Sequence, residues 1–263
     1  MLDRDDSAVR VTVNDGVAEV VLASAATRNA LSLGLATEMR DGMESVCNAP
    51  GVRVIVLRSE GSIFSVGGDL KAFRSAPMGA NLNDVVARPI HETIELMNNA
   101  RQPVVCAVQG SVGGGAVGLV LAADISVMAE TAVFRMGYTG SGLSPDCAVS
   151  WYLPRLAGLP IALDLLLTNR RVSAEEALRL GMISRVTAEE SLESTIADIV
   201  AGMARIPFET LSETKRLTRR SMITDLHSQL DDEARTIGRL GDTSDTREAI
   251  AAFLDKRPPV LSS

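Results

Sequence analysis

The chain has 263 residues, 46% hydrophobic and 22% charged, with 33 acidic residues against 26 basic ones and a net charge of −7. That balance is globular rather than disordered, and it excludes the basic face on which nucleic-acid binding depends. Three cysteines, Cys47, Cys106 and Cys147, show no C-x-x-C spacing, so neither a disulfide scaffold nor a zinc knuckle is indicated and a reducing compartment fits.

In chain order, Val9–Asn14 and Gly16–Leu22 read as two strands joined at the Asp15-Gly16 turn. Ser32 caps a helix that runs to about Asn48, with Leu35, Met39, Met43 and Val46 on one face, and Pro50-Gly51 breaks it. Val52–Leu57 is a buried strand, Gly61–Asp69 a glycine-bearing loop, and helix resumes near Leu70. Residues 75–84 are small and polar and read as a mobile loop. Pro89–Ala100 reads as helix, and Val104–Val108, Ile125–Met128 and Val133-Phe134 as strands. Beyond residue 145 the pattern turns helical: Ala148–Leu156, Ile161–Leu167, Ala174–Leu180, Ser191–Arg205, Phe208–Met222 and Leu226–Arg239. The expectation is an α/β core over residues 1–200 and a helical region over 201–263.

Residues 102–123 carry no charge over 22 positions, yet they contain Pro103, Gln109 and five glycines, which indicates a buried strand and helix rather than a membrane span. The first ten residues are charged and show no secretory signal, so a cytoplasmic location is expected.

Gly113-Gly114-Gly115-Ala116-Val117-Gly118 satisfies G-x-G-x-x-G after a strand, which suggests a dinucleotide fold. The context argues against it, because the next strand begins at Ile125 and no acidic residue ends a strand about twenty positions on. A second glycine loop, Phe64-Ser65-Val66-Gly67-Gly68-Asp69-Leu70, also follows a buried strand, and Asp69 can be a simple helix cap. Together the two loops can each aim one backbone N–H at the same carbonyl oxygen, forming an oxyanion hole without a side chain. A third segment, Gly140-Ser141-Gly142-Leu143-Ser144-Pro145-Asp146-Cys147, places an aspartate at the start of an apolar helix. Cys147 reads as packing rather than nucleophile, since no histidine is near it in sequence, and no serine triad or zinc-ligand pattern occurs.

These pieces in this order resemble the enoyl-CoA hydratase/isomerase (crotonase) superfamily. The resemblance rests on Arg28-Asn29-Ala30-Leu31, Phe64–Leu70, Pro103-Val104 leading to Gly110–Asp124, Phe134, Gly142–Pro145, Leu153-Pro154-Arg155-Leu156, Thr168–Ala177, Gly181-Met182-Ile183 and Phe253–Pro258. It implies a spiral of ββα turns with a helical C-terminal region that makes homotrimers or hexamers. It also implies an acyl-CoA thioester substrate, with coenzyme A part of that substrate and no further cofactor or metal. The implied oxyanion donors are the N–H groups of Gly68 and Gly115. The implied substrate contacts are Arg28, Ala30, Val66, Gly67, Leu70, Gly114, Gly118, Tyr138 and Leu143. The two glutamates of the family's hydratases would fall on Gly118 and Tyr138, and neither can act as a carboxylate. Asp146 stands where some members place a catalytic aspartate, as in isomerases linked to phenylacetate breakdown.

The expected activity is therefore a double-bond shift in an unsaturated acyl-CoA, with Asp146, partly desolvated by Leu143 and Val149, as the single proton shuttle. Other outcomes are hydrolysis or dehalogenation with Asp146 as nucleophile, weak hydration, or binding without catalysis. A dehalogenase needs an aromatic pocket, for which Trp151 and Tyr152 lie close in sequence.

Overall fold

The structure, a computed structural model, describes residues 7–77 and 87–262. Strands β1 (Val9–Asn14) and β2 (Val17–Leu22) form the expected hairpin, with Val9 opposite Leu22. Helix α1 (Leu33–Asn48) starts where Ser32 Oγ accepts the Leu35 N–H, and its Leu35, Met39, Met43 and Val46 face is buried as the spacing predicts. Beyond α1 the chain winds in repeated turns. Each turn gives one strand to a six-stranded sheet and the next strand to a four-stranded sheet: β3 (Val54–Ser59) and β4 (Ile63–Ser65), β5 (Val104–Val108) and β6 (Ser111–Gly113), β7 (Ile125–Ala129) and β8 (Val133–Arg135). Helices α2 (Leu70–Ser75), α3 (Arg88–Asn99) and α4 (Gly115–Ala122) close the turns. This is the expected spiral.

The larger sheet runs β1-β2-β3-β5-β7-β10, where β10 is Arg185–Thr187, and every pair in it except β1/β2 is parallel. The smaller sheet runs β4-β6-β8-β9, where β9 is Arg171–Ser173; β4, β6 and β8 are parallel and β9 is antiparallel to β8. β5 is buried along its whole length, and α4 is buried at every position, so the uncharged 102–123 stretch is interior strand and helix. Among the described residues no helix is long and apolar enough to cross a membrane.

Helices α5 (Val149–Ala157), α6 (Leu159–Thr168), α7 (Ala174–Arg179), α8 (Leu192–Ala204), α9 (Phe208–Arg220), α10 (Leu226–Gly241) and α11 (Ser244–Leu254) follow. Six of them sit within a few residues of their predicted bounds. The three-residue strands β4, β6, β9 and β10, and helix α11, were not foreseen. Runs of three residues carry too little alternation to be read from sequence, and the glycines of the two loops mask β4 and β6. The predicted loop over 75–84 falls largely outside the described residues. Helix α9 is pinned to the core by one carboxylate: Asp124 accepts from Lys215 Nζ at 2.9 Å, from the Arg219 guanidinium at 2.6 Å and from the Val104 N–H at 2.8 Å.

The smaller sheet sets up the site. Because β4, β6 and β8 are parallel neighbours, the loops leaving their C-terminal ends emerge side by side, the usual place for a ligand in such sheets. Asn29, fully buried and at φ 52°, ties the preceding segment to this edge. Its Oδ1 accepts the Ser24 N–H at 2.9 Å, and its Nδ2 donates to the carbonyls of Glu60, Ile63 and Phe64. The Ser65 hydroxyl donates to the Asn29 carbonyl at 2.6 Å and accepts the Gly67 N–H at 3.1 Å. Replacing this side chain strands several buried carbonyls at once. Asn29→Ala is expected to lower the unfolding free energy by about 2–4 kcal/mol, read as a shift in the urea midpoint; a loss below about 1 kcal/mol would mean that water replaces the amide.

Candidate functional site

The loops after β4 and β6 meet backbone to backbone. A Cβ on Gly67, at φ +88°, would lie 2.5 Å from the Gly113 carbonyl oxygen, and one on Gly113 would lie 2.7 Å from the Val66 carbonyl oxygen. Side chains at either position would wedge the loops apart. Leu31 pairs with Gly68 as an isolated parallel bridge: its N–H donates to the Gly67 carbonyl and its carbonyl accepts the Asp69 N–H. That geometry uses the groups on either side of Gly68 and leaves the Gly68 N–H turned away from Leu31. Gly115 opens helix α4 after Gly114, whose φ 48° and ψ −129° suit only glycine, so its N–H belongs to the unpaired first turn. Neither N–H has an acceptor among the described residues, and both glycines line one cavity of about 670 Å³.

Val66, Leu70, Gly114, Tyr138, Leu143 and Asp146 share that cavity wall. Asp146 is the only acidic residue on the wall among the described residues. Arg28 and Ala30 are not on it; they sit on the segment that leads into Leu31. Gly67 serves the contact between the loops rather than the wall. Gly118 is a correction: it is buried inside α4, and a Cβ there would lie 1.7 Å from the Cys147 carbonyl oxygen. The space above Gly118 is filled by the backbone that carries Asp146. Asp69 is the cap of α2, its carboxylate accepting the N–H groups of Lys71 and Ala72.

Three contacts fix Asp146. Tyr138 lines the cavity, but its hydroxyl is already used, donating to the Asp146 backbone carbonyl at 2.8 Å. Burial pushes the Tyr138 phenol well above its ordinary value, so it remains a donor. Cys147 packs between Gly115 and Gly118, and burial with the adjacent Asp146 carboxylate pushes its thiol up, which makes it a packing group. Cys147 and Ala148 both take left-handed backbone, φ 51° and 58°, a strain of about 1–2 kcal/mol each. The third contact was not foreseen: His91, on α3, places Nε2 2.6 Å from Asp146 Oδ1. The two residues are 55 positions apart and on separate elements, so no sequence spacing reports the pair. The Asp146 side chain is 42% exposed and that of His91 41%, so both are partly buried and within reach of a ligand.

His91, Asp146 and Cys147 place donor atoms within 4.8 Å of one another, a set that can be tested as a metal centre. The His91–Asp146 separation of 2.6 Å is that of a hydrogen bond. Two ligands on a tetrahedral zinc stand about 3.3 Å apart, so the 2.6 Å separation is that of a hydrogen-bonded pair, and burial pushes the Cys147 thiol up. Trp151 and Tyr152 line a separate cavity of about 960 Å³ facing α8 and α9, so the aromatic rings on the site wall are Phe73 and Tyr138.

The enoyl-CoA hydratase/isomerase family model matches residues 12–263. This chain belongs to that family. It is 31% identical over 249 residues to the 1,2-epoxyphenylacetyl-CoA isomerase of Escherichia coli, covering 94% of this chain and 95% of that one. It is 30% identical to 4-chlorobenzoyl coenzyme A dehalogenase-2 of an Arthrobacter species, covering 79% and 76%. The crystal structure of an enoyl-CoA hydratase from Bacillus anthracis matches with a TM-score of 0.90 at 28% identity, covering 96% of this chain and 98% of that one. The fold is that of the crotonase superfamily, and the enzyme class is acyl-CoA chemistry.

Within the family fold, the glycine at 118 is what admits the Asp146 loop. Gly118→Ala is expected to lower turnover about 100-fold by displacing that loop and to cost about 1–3 kcal/mol of stability, both measurable on the purified variant. Unchanged turnover would show that the loop gives way freely.

Proposed function

We propose that this protein is an acyl-CoA isomerase that shifts a double bond in an unsaturated acyl chain. The observation that carries this is Asp146, the single carboxylate among the described residues of a cavity wall that also presents the free N–H groups of Gly68 and Gly115. The thioester carbonyl sits between those two donors. Loss of an α-proton or γ-proton forms an enolate whose charge gathers on that oxygen, where the two hydrogen bonds strengthen. Asp146 takes the proton from one carbon and returns it two carbons away, so atoms and charge balance with no added reactant. His91 holds the carboxylate toward the cavity, and Tyr138 holds its backbone. Coenzyme A is part of the substrate, and the reaction as written requires no other cofactor. Hydration needs one group to activate water and another to protonate carbon, which the one carboxylate among the described wall residues supplies poorly.

The His91 contact favours one second reading. Asp146 can attack an acyl-CoA carbon and displace a leaving group such as chloride, forming an ester; His91 can then deprotonate a water that cleaves that ester. The named dehalogenase relative supports this course. The low aromatic content of the wall, Phe73 and Tyr138, weighs against an aryl substrate.

Self-association is also proposed. Met222, Ile223, Leu226, Ile237 and Phe253 of the C-terminal helical region are all more than half exposed, an apolar surface that a trimer or a pair of trimers would cover.

With a 3-enoyl-CoA, the wild type is expected to generate the conjugated ester, followed by its ultraviolet absorbance. Asp146→Asn should lose about 100- to 10,000-fold of that rate while still binding the ester. Rapid hydration of crotonyl-CoA would overturn the isomerase assignment. With His91→Gln, an adduct on Asp146 seen by mass spectrometry during turnover would favour substitution, and its absence would favour the proton shuttle. Light scattering should give a mass three or six times that of one chain; a monomer would refute the assembly.

A further inference from the structure

The cavity has two chemically different ends. Leu31, Val66, Leu70, Phe73 and Ile90 make one end apolar. The other end is built from β8 and from the segment between α6 and β9, where Arg135 and Asn169 line the wall. Arg135 has no ion-pair or hydrogen-bond partner for its side chain among the described residues. Directly opposite it across the β8/β9 ladder stands Arg171, whose guanidinium also has none. The two share the sheet face opposite to the fully buried Phe134 and Val172. Like charges in directly opposed positions repel. The adjacent Arg170, by contrast, is held by Asp164 and Glu176. In a chain with 33 acidic residues and a net charge of −7, this pair of cations is left without a counter-charge beside a ligand cavity.

Asn169 adds a donor. Its Oδ1 accepts the Gly137 N–H at 2.7 Å, which turns Nδ2 the other way, toward Gly140. That amide nitrogen has no acceptor among the described residues. Arg135 and Asn169 therefore bring a guanidinium and a free amide to a wall whose only acidic side chain among the described residues is Asp146. The strand order gives the sequence of these groups along the sheet. Leu31 lies at the β4 edge, Gly68 follows β4, Gly115 follows β6, and Arg135 and Arg171 stand on β8 and β9. With the thioester carbonyl between Gly68 and Gly115, an acyl chain that runs on along the sheet order comes to β8 and β9, which carry the two arginines.

We propose that this end receives an anionic group at the far end of the acyl chain, so that the preferred substrates are acyl-CoA esters of dicarboxylic acids. The inference rests on the acyl-CoA reading of the site and adds the class of acyl group. A second source of the same chemistry is a phosphate of coenzyme A, and the two are separable.

The test is equilibrium binding of glutaryl-CoA and valeryl-CoA, which have the same number of acyl carbons with and without a terminal carboxylate, by calorimetry on wild type, Arg135→Gln and Arg171→Gln. Arg135→Gln removes an exposed, unpaired charge and is expected to leave the fold intact, checked by its denaturation midpoint. The expected result is about tenfold weaker glutaryl-CoA binding by Arg135→Gln, with a smaller loss for Arg171→Gln and valeryl-CoA within about twofold of wild type. Equal losses for both esters would place Arg135 on a coenzyme A phosphate and overturn the proposal. No loss for either would overturn it as well. A wild type that binds neither ester would instead refute the acyl-CoA reading itself, which separates the two failures.

Discussion

The close approach of two backbones, Val66–Gly67 against Gly113–Gly114, is the constraint on which the site depends. It exists because β4 and β6 are parallel neighbours whose C-terminal ends deliver their loops at the same level. With no side chains between them, the loops leave the Gly68 and Gly115 N–H groups on one cavity wall. The pairing of Leu31 with Gly68 and the buried Asn29 hold the first loop from behind, and the turn into α4 holds the second. Polarity at the reacting centre is thus a property of main chain, set by packing rather than by any titrating group.

The Asp146 carboxylate is added to this frame by a different device. The segment from Tyr138 to Ala148 crosses over α4, and its path is fixed by the tyrosine hydroxyl, the Cys147 carbonyl resting over Gly118 and two left-handed residues. Helix α3 contributes His91 from the opposite side. Asp146 is held at both ends, its main chain by Tyr138 and its carboxylate by His91. A side chain restrained in this way loses little freedom on meeting its substrate.

Much of the fold was legible because it is repetitive in pattern: apolar strands such as Val104–Val108, and helices with a clear buried face such as α1. The short strands β4, β6, β9 and β10 were not, since three residues cannot display a period. The glycine loops and Asp146 could be picked out because their chemistry is local, a flexible backbone after a strand or an acid at a helix start. His91 could not be found, because its importance comes from a contact across 55 positions. Tyr138 was seen on the right wall, but the target of its hydroxyl is a backbone carbonyl that no side-chain pattern encodes. Gly118 was assigned to the substrate when it in fact serves the neighbouring loop.

The Cys147 carbonyl over Gly118 has a consequence for how such enzymes diversify. A side chain at 118 and the present course of the 146–148 backbone exclude one another, because both claim the same volume. Any mutational route that adds a side chain at 118 is therefore ordered: the loop has to move before, or together with, the substitution. That move has to take Cys147 and Ala148 out of their left-handed conformations, so drift at position 118 meets a barrier made of main chain.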